Sequence, residues 1–361
     1  MSPLIPTPDT LPAHWGVFQS LLLLTFPLHL LLMNAALGAA AGALLVRGKG
    51  ETGRRLSFDL ARVLPLLIAF TVNFGVAPFL FVQVLYGHFI YPSSILMGVF
   101  WLSIVPCLIA AYYGAYLYDF RFAALGRLGP PVLAGSLALL LAIAFVFSNN
   151  MTLMLAPGRW SAYFDNPYGT LLNLSDPALW PRYLHMVTGA LAVGGLFVAL
   201  FGAFREKADP GAGELARRVG MRTFALLTVA QVPLGAWFLL ALPRPVMLTF
   251  MGGNLLATAL FACALLLIAG TLVAALRSRL ALAAWTALPL VAVMTLLRAF
   301  VRSAYLREHF TLDQLQSVTA YGPMVLFFGS LLIGIAAIAW LVAKAAAAFR
   351  KPAPPEEGEA W

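Results

Sequence analysis

Carboxylates are scarce in this sequence: Asp and Glu number 14 in 361 residues, against 23 Lys and Arg, and all charged residues together make up 10% of the chain. A soluble domain of this length normally devotes about a quarter of its residues to charge, so a soluble globular protein is excluded. Cysteine is almost missing as well. Cys107 and Cys263 stand alone in apolar stretches, and no CxxCH occurs. That excludes covalent c-type haem attachment and a thiolate metal cluster. Carboxylates are also lacking where they would matter most, since all 14 fall in connections or at the edges of apolar stretches.

What the chain has instead is apolar length: 61% of its residues are hydrophobic. Runs long enough to cross about 30 Å of hydrocarbon, at roughly 20 residues each, recur nine times. They lie near residues 17–46, 60–87, 94–118, 129–149, 181–204, 219–242, 250–276, 280–302 and 321–347. Lipid offers no partner to backbone N–H and C=O groups, so the expected fold class is all-α, a polytopic bundle of nine transmembrane helices. Residues 1–16 form a short lead, 17–347 the membrane domain and 348–361 a disordered tail. The first run is expected to stay on the protein as a helix, because it is too long, and too polar at Asn34, for a signal peptide.

Basic residues orient the bundle. The alternate connections 47–62, 119–128, 205–222 and 277–279 and the tail from Lys344 hold 17 of the 23 Lys and Arg, leaving six elsewhere. The positive-inside rule then places the C-terminus in the cytoplasm and the N-terminus in the periplasm, in the inner membrane of a bacterium. The net charge of +9 is thus a topology signal that points to the bilayer and away from nucleic acid.

The site candidates are polar residues inside apolar runs, where they are costly and usually functional. His185 follows Arg182 at the mouth of the fifth run, ahead of Gly194, Gly195 and Gly202. His29 lies about 18 Å into the first run at 1.5 Å per residue. The second run carries Asn73-Phe74-Gly75-Val76-Ala77-Pro78 and then Gln83 and His88, with a kink expected at Pro78 and a tight turn at Tyr91-Pro92. Tyr112, Tyr113, Tyr116 and Tyr118 read as an interfacial aromatic belt. Met251 opens the seventh run beside Gly252 and Gly253. Arg298 and Arg302, four residues apart, share one face of the eighth and suit the carboxylates of a haem; snorkelling to headgroups is the alternative. The long connection 150–180, rich in Trp and Pro, is expected to fold back over the bundle. His309 is expected in solvent.

Taken in order, His29, the Asn73 to Pro78 stretch, Gly87, the long connection, Arg182-x-x-His185, Met251-x-Gly253 and Ala287-Leu288-Pro289-Leu290 resemble subunit I of the cytochrome bd oxidases over essentially the whole chain. The resemblance implies a b haem held axially by His185 and Met251, and a second haem, high-spin b or d-type, on His29. His88 is an addition to the family pattern and a candidate third ligand. One to three haems are therefore expected.

Three departures shape the functional expectation. The hydrophilic quinol loop of the family is reduced to residues 243–246. Gln83 stands at the position of one family glutamate, and Thr295, Arg298 or Arg302 at that of another. The companion subunit is not in this chain. The reading is a b-haem electron-transfer subunit of a cytochrome bd-like oxidoreductase, working with a second membrane subunit and a periplasmic cytochrome c. A terminal oxygen reductase subunit is the alternative within that class. A haem-free anion transporter or membrane scaffold is the alternative outside it; no internal repeat supports a transporter.

Overall fold

The computed structural model describes residues 4–318 and 320–350. Among them the chain is all-helical apart from connections, and nine helices are long and apolar enough to cross a membrane. The protein is a multi-pass membrane protein. In chain order the helices are α1 (Trp15–Arg47), α2 (Gly50–Leu96), α3 (Gly98–Phe120), α4 (Gly129–Met154), α5 (Leu179–Arg205), α6 (Pro210–Ala241), the short α7 (Arg244–Leu248), α8 (Leu255–Leu276), α9 (Leu280–Leu306) and α10 (Tyr321–Arg350). Successive spans run up and down. One end of the bundle carries the arginine-rich turns and is called the basic face; the other carries the 155–178 connection and is called the loop face.

Small residues set the packing. Helices in lipid gain little from apolar burial against one another and associate where small side chains let backbones approach. α5, the most buried span, is such a helix. A Cβ on Gly194 would fall 2.6 Å from the Cα of Gly38 on α1, and one on Gly195 would fall 2.9 Å from the carbonyl oxygen of Gly220 on α6. Gly202 meets the Gly213 carbonyl in the same way, at 2.7 Å. α5 thereby sits at the centre, packed on α1, α4, α6 and α9.

The basic face is locked by polar groups. Tyr118 is fully buried; it accepts a hydrogen bond from Arg47 at 2.9 Å and shares one with Ser57 at 2.9 Å. It is therefore a core residue and departs from the expected aromatic belt, whereas Tyr113 is exposed as that belt requires. Asp209 caps α6 by accepting from the Ala212 amide at 3.0 Å, and pairs with Arg55 on α2 at 3.0 Å. The amide bond, with Arg55 and Arg205 beside it, holds the Asp209 carboxyl below the usual carboxylate range. Arg205 closes α5 onto Asp59 at 2.6 Å.

α2, with 47 residues, is about 70 Å long, twice what hydrocarbon requires. The residue that leaves helical geometry is Tyr86 (φ −133°, ψ 28°), beyond the expected kink at Pro78. The helix then continues through Pro92 to Leu96, where a tight turn was expected. α4 likewise runs on to Met154, so Asn149 and Asn150 are buried helical residues and not part of a loop.

The long connection folds back, as its composition suggested. Its 3₁₀ segment Pro157–Phe164 buries Trp160, whose indole donates to the Leu153 carbonyl at 3.0 Å. Backbone bonds from Val99 to Gly169 and from Leu171 to Leu96, both 3.0 Å, tie the rest to the α2–α3 turn. The N-terminal lead bridges Ser317 through Leu11, and α10 follows that contact with an exposed surface. α10 continues to Arg350, and the expected disordered tail beyond it, residues 351–361, lies outside the described residues.

Candidate cofactor site

His29 is positioned by the α1–α2 pair. A Cβ on Gly75 would lie 2.8 Å from its Nδ1 and Cε1, so the ring rests on bare α2 backbone. Its Nδ1 is 3.0 Å from the carbonyl oxygen of Thr71. A carbonyl only accepts, so Nδ1 carries the proton and Nε2 presents a lone pair, for which no hydrogen bond is made among the described residues. An imidazole held by a backbone carbonyl on one nitrogen and free on the other is the usual arrangement of a metal-binding histidine.

His185 is positioned by α5 and α6. A Cβ on Gly235 would lie 3.2 Å from its Cε1, and the ring stacks on Phe238 with centroids 6.4 Å apart. Gln231 donates to the His185 carbonyl at 2.7 Å. Residues 231, 235 and 238 share one face of α6, and that face is a seat for the histidine. The Nδ1 of His185 is buried with no partner. Buried polar atoms left in this way are costly, and a bound group would relieve the cost.

Between these histidines stand three arginines. Arg298 remains accessible, with its guanidinium 4.4 Å from the centroid of Phe26, one helical turn from His29. Arg302 is buried over the Tyr86 ring at 4.3 Å. Arg182 lies 5.4 Å from the Phe238 ring. Arg298 is within coulombic range of both others and of His29. The ion pairs among the described residues are Arg55–Asp209, Arg205–Asp59 and Arg218–Glu214, all at the basic face. None involves this trio. The acid within range is Asp176, beside Arg182 at the loop face. The Nε atoms of Arg182 and Arg302 are buried without partners. Arg302 points into protein, so it does not snorkel.

His88 is 8% exposed, walled by Phe89 and Phe310 with ring centroids 4.4 Å away in each case. Its Nε2 is buried and unpartnered. Phe310 also packs on Tyr86, which links His88 to the Arg302 side of the site. His309 is half-buried.

Met251 belongs to a turn ahead of α8. The segment expected as a bare connection, 243–246, begins the helical turn α7, and the π-helical turn Thr249–Gly253 follows it. Met251 (φ −115°, ψ 40°) and Gly252 (φ 103°) leave helical geometry, and Asn254 caps α8. The value at Gly252 falls in the left-handed region, which suits glycine. Met251 is 50% exposed, on a turn packed against α7 and α8, whereas the ring neighbours of His185 lie on α6. His185 is thus seated on α6, and Met251 stands at the entry to α8, which itself packs on α6. A π-turn is nevertheless a frequent marker of functional positions.

Arg298 stands near His29, Arg302 and Arg182, and Arg182 shares the Phe238 ring with His185, so these residues gather in one region of the bundle. Gln231, Gly235 and the place of Arg182 among the arginines were not anticipated; a lone Gln four residues before a Gly in an apolar run was the available signal. No group of three His, Cys, Asp or Glu that would hold a metal ion occurs among the described residues, so any metal here would rely on one or two protein donors, as haem iron does. The arrangement offers imidazole nitrogens and guanidinium groups, donors that suit a Lewis-acidic centre and carboxylates respectively. Comparison with protein-family models and with curated proteins gives no match.

Proposed function

We propose that the chain is the b-haem subunit of a cytochrome bd-like membrane oxidoreductase, exchanging electrons with a periplasmic c-type cytochrome. The observation that carries this reading is the gathering of three arginines outside any ion pair near two imidazoles, His29 and His185, each with a ring nitrogen that makes no hydrogen bond among the described residues. Haem b answers both needs, with iron for imidazole and two propionates for guanidinium. When bound, it supplies a one-electron couple. His185 would hold one haem and His29 a second, with Arg182, Arg298 and Arg302 neutralising propionate carboxylates. Met251 and His88 are the remaining candidate ligands. The haem count of one to three and the high-spin or d-type character at His29 belong to this proposal.

The chain's own residues then do three things. They keep the imidazoles in one tautomer, as Thr71 does for His29. They exclude water, through Phe26, Phe238 and Tyr86. They raise the local positive potential, which favours the electron-bearing state. The loop face, with Phe164 and Tyr168 exposed at 73% and 78%, offers aromatic surface to a carrier. Periplasmic placement of this face, a bacterial inner-membrane location and a second membrane subunit are parts of the same reading.

The test is anaerobic mixing of the oxidised, haem-loaded full chain with a reduced c-type cytochrome. The expected result is loss of the c-type band as a b-type α-band grows, one electron for one. Failure to exchange while haem is present would overturn the electron-transfer role. The same arginines favour a second reading, passage of an anion; it predicts a colourless protein that carries anion flux in proteoliposomes.

A further inference from the structure

At the opposite end of the bundle, the first turns of α2 and the end of α3 flank an open groove of about 820 Å³. Arg54, Arg55 and Arg62 of α2 line it together with Glu51 of α2 and Asp119 of α3. Phe58 and Phe122, with ring centroids 5.0 Å apart, are also part of its wall. Arg55 is committed to Asp209. Arg54 and Arg62 make no ion pair or hydrogen bond among the described residues, and the Arg62 guanidinium stands 5.8 Å from the Phe58 ring. Phe120 is shared with a neighbouring pocket of about 390 Å³, formed by Tyr113, Tyr116, Leu117 and Arg121.

The apolar surface continues from this level along both helices. On α3, Ile109, Val105 and Leu102 follow Tyr113 at helical spacing and are 51%, 61% and 74% exposed. On α2, Leu66 and Phe70 follow Arg62 at intervals of four, exposed at 58% and 45%. Charge at the membrane edge, an aromatic shelf beneath it and long apolar stripes below are the elements of a phospholipid seat. Two features narrow the headgroup. The free guanidiniums call for a phosphodiester. Asp119, a carboxylate in the same pocket, would repel a bare anion but accepts hydrogen bonds from hydroxyl groups.

We propose that this pocket binds an anionic phospholipid with a glycerol headgroup, phosphate on Arg54 and Arg62, headgroup hydroxyl on Asp119, and acyl chains along the exposed stripes of α2 and α3. The site is independent of the cofactor and lies at the other face.

The test uses the delipidated full chain in neutral detergent, with native mass spectrometry reading bound lipid. Phosphatidylglycerol is expected to bind at least about tenfold more tightly than phosphatidylcholine, in line with the contribution of each arginine near an anionic headgroup. Arg54→Gln/Arg62→Gln is expected to abolish that preference. Arg217→Gln, an exposed arginine of the same face outside the pocket, is expected to keep it. Soluble glycerol 3-phosphate is expected to leave lipid binding unaffected. Equal binding of the two lipids by the wild type would overturn the proposal without recourse to any variant. So would a preference that survives the double substitution, falls equally with Arg217→Gln, or yields to glycerol 3-phosphate.

Discussion

His185→Ala, purified from the same membranes as the wild type, is expected to carry one b haem fewer per chain and to lose the matching share of the reduced α-band. The chain itself should remain folded, because what fastens α5 to α6 here is the bond from Gln231 to the main-chain carbonyl of residue 185, which alanine keeps. What disappears is the ring on the Gly235 seat and the nitrogen left without a partner. Exogenous imidazole, small enough to occupy the vacated seat, is expected to restore part of the band. A variant with unchanged haem content would remove His185 from the site. A variant that fails to assemble would be distinguished by its elution in size-exclusion chromatography, and His29→Ala then provides the parallel measurement at the α1–α2 seat.

Gly194→Ala is expected to cost more stability than any single methyl added elsewhere on α5. The new Cβ would stand 2.6 Å from the Gly38 Cα and 2.7 Å from the Asn34 carbonyl oxygen. These are backbone atoms, which cannot rotate away as a side chain does. Overpacking of this kind costs about 1–3 kcal/mol and occasionally more, and the upper end is expected because both helices must separate. Gly135 on α4 is the comparison: nothing lies within 4 Å of a Cβ there. In that position alanine is expected to be neutral or stabilising by up to about 1 kcal/mol, the ordinary helical preference for Ala over Gly. Thermal unfolding in one detergent would read both. Equal midpoints for the two variants would contradict the close α1–α5 approach.

Much of the architecture was legible because lipid simplifies the problem. A run of 20 apolar residues has one permitted structure, so the nine spans and their alternation follow from hydropathy alone. The limits of the helices were less legible. Pro92 and Tyr91 look like a turn, yet the helix passes through them to Leu96; Asn149 and Asn150 look like a loop, yet they lie inside α4 with bonds to Asn173, Ser93 and Ser94. Each of those outcomes depends on a partner distant in the chain. Tyr118 shows the same limit: four neighbouring tyrosines are equivalent in sequence, and Arg47 and Ser57 select the buried one.

At the site, spacing put Arg298 and Arg302 on one face of their helix but could not say what that face meets. The meeting with Arg182 requires α5 and α9 to be neighbours, and the seats of both histidines require glycines on α2 and α6. The pairing of His185 with Met251 came from the resemblance, and the fold places Met251 at the entry to α8, in a turn whose π-helical backbone no hydropathy pattern reveals.

The central claim is that this bundle holds haem. It is tested most directly by a pyridine haemochrome determination on the purified full chain, expressed as haem b per polypeptide. The account predicts at least one b haem for each chain; a protein that is correctly folded, monodisperse and free of haem after expression in a haem-replete host would contradict it.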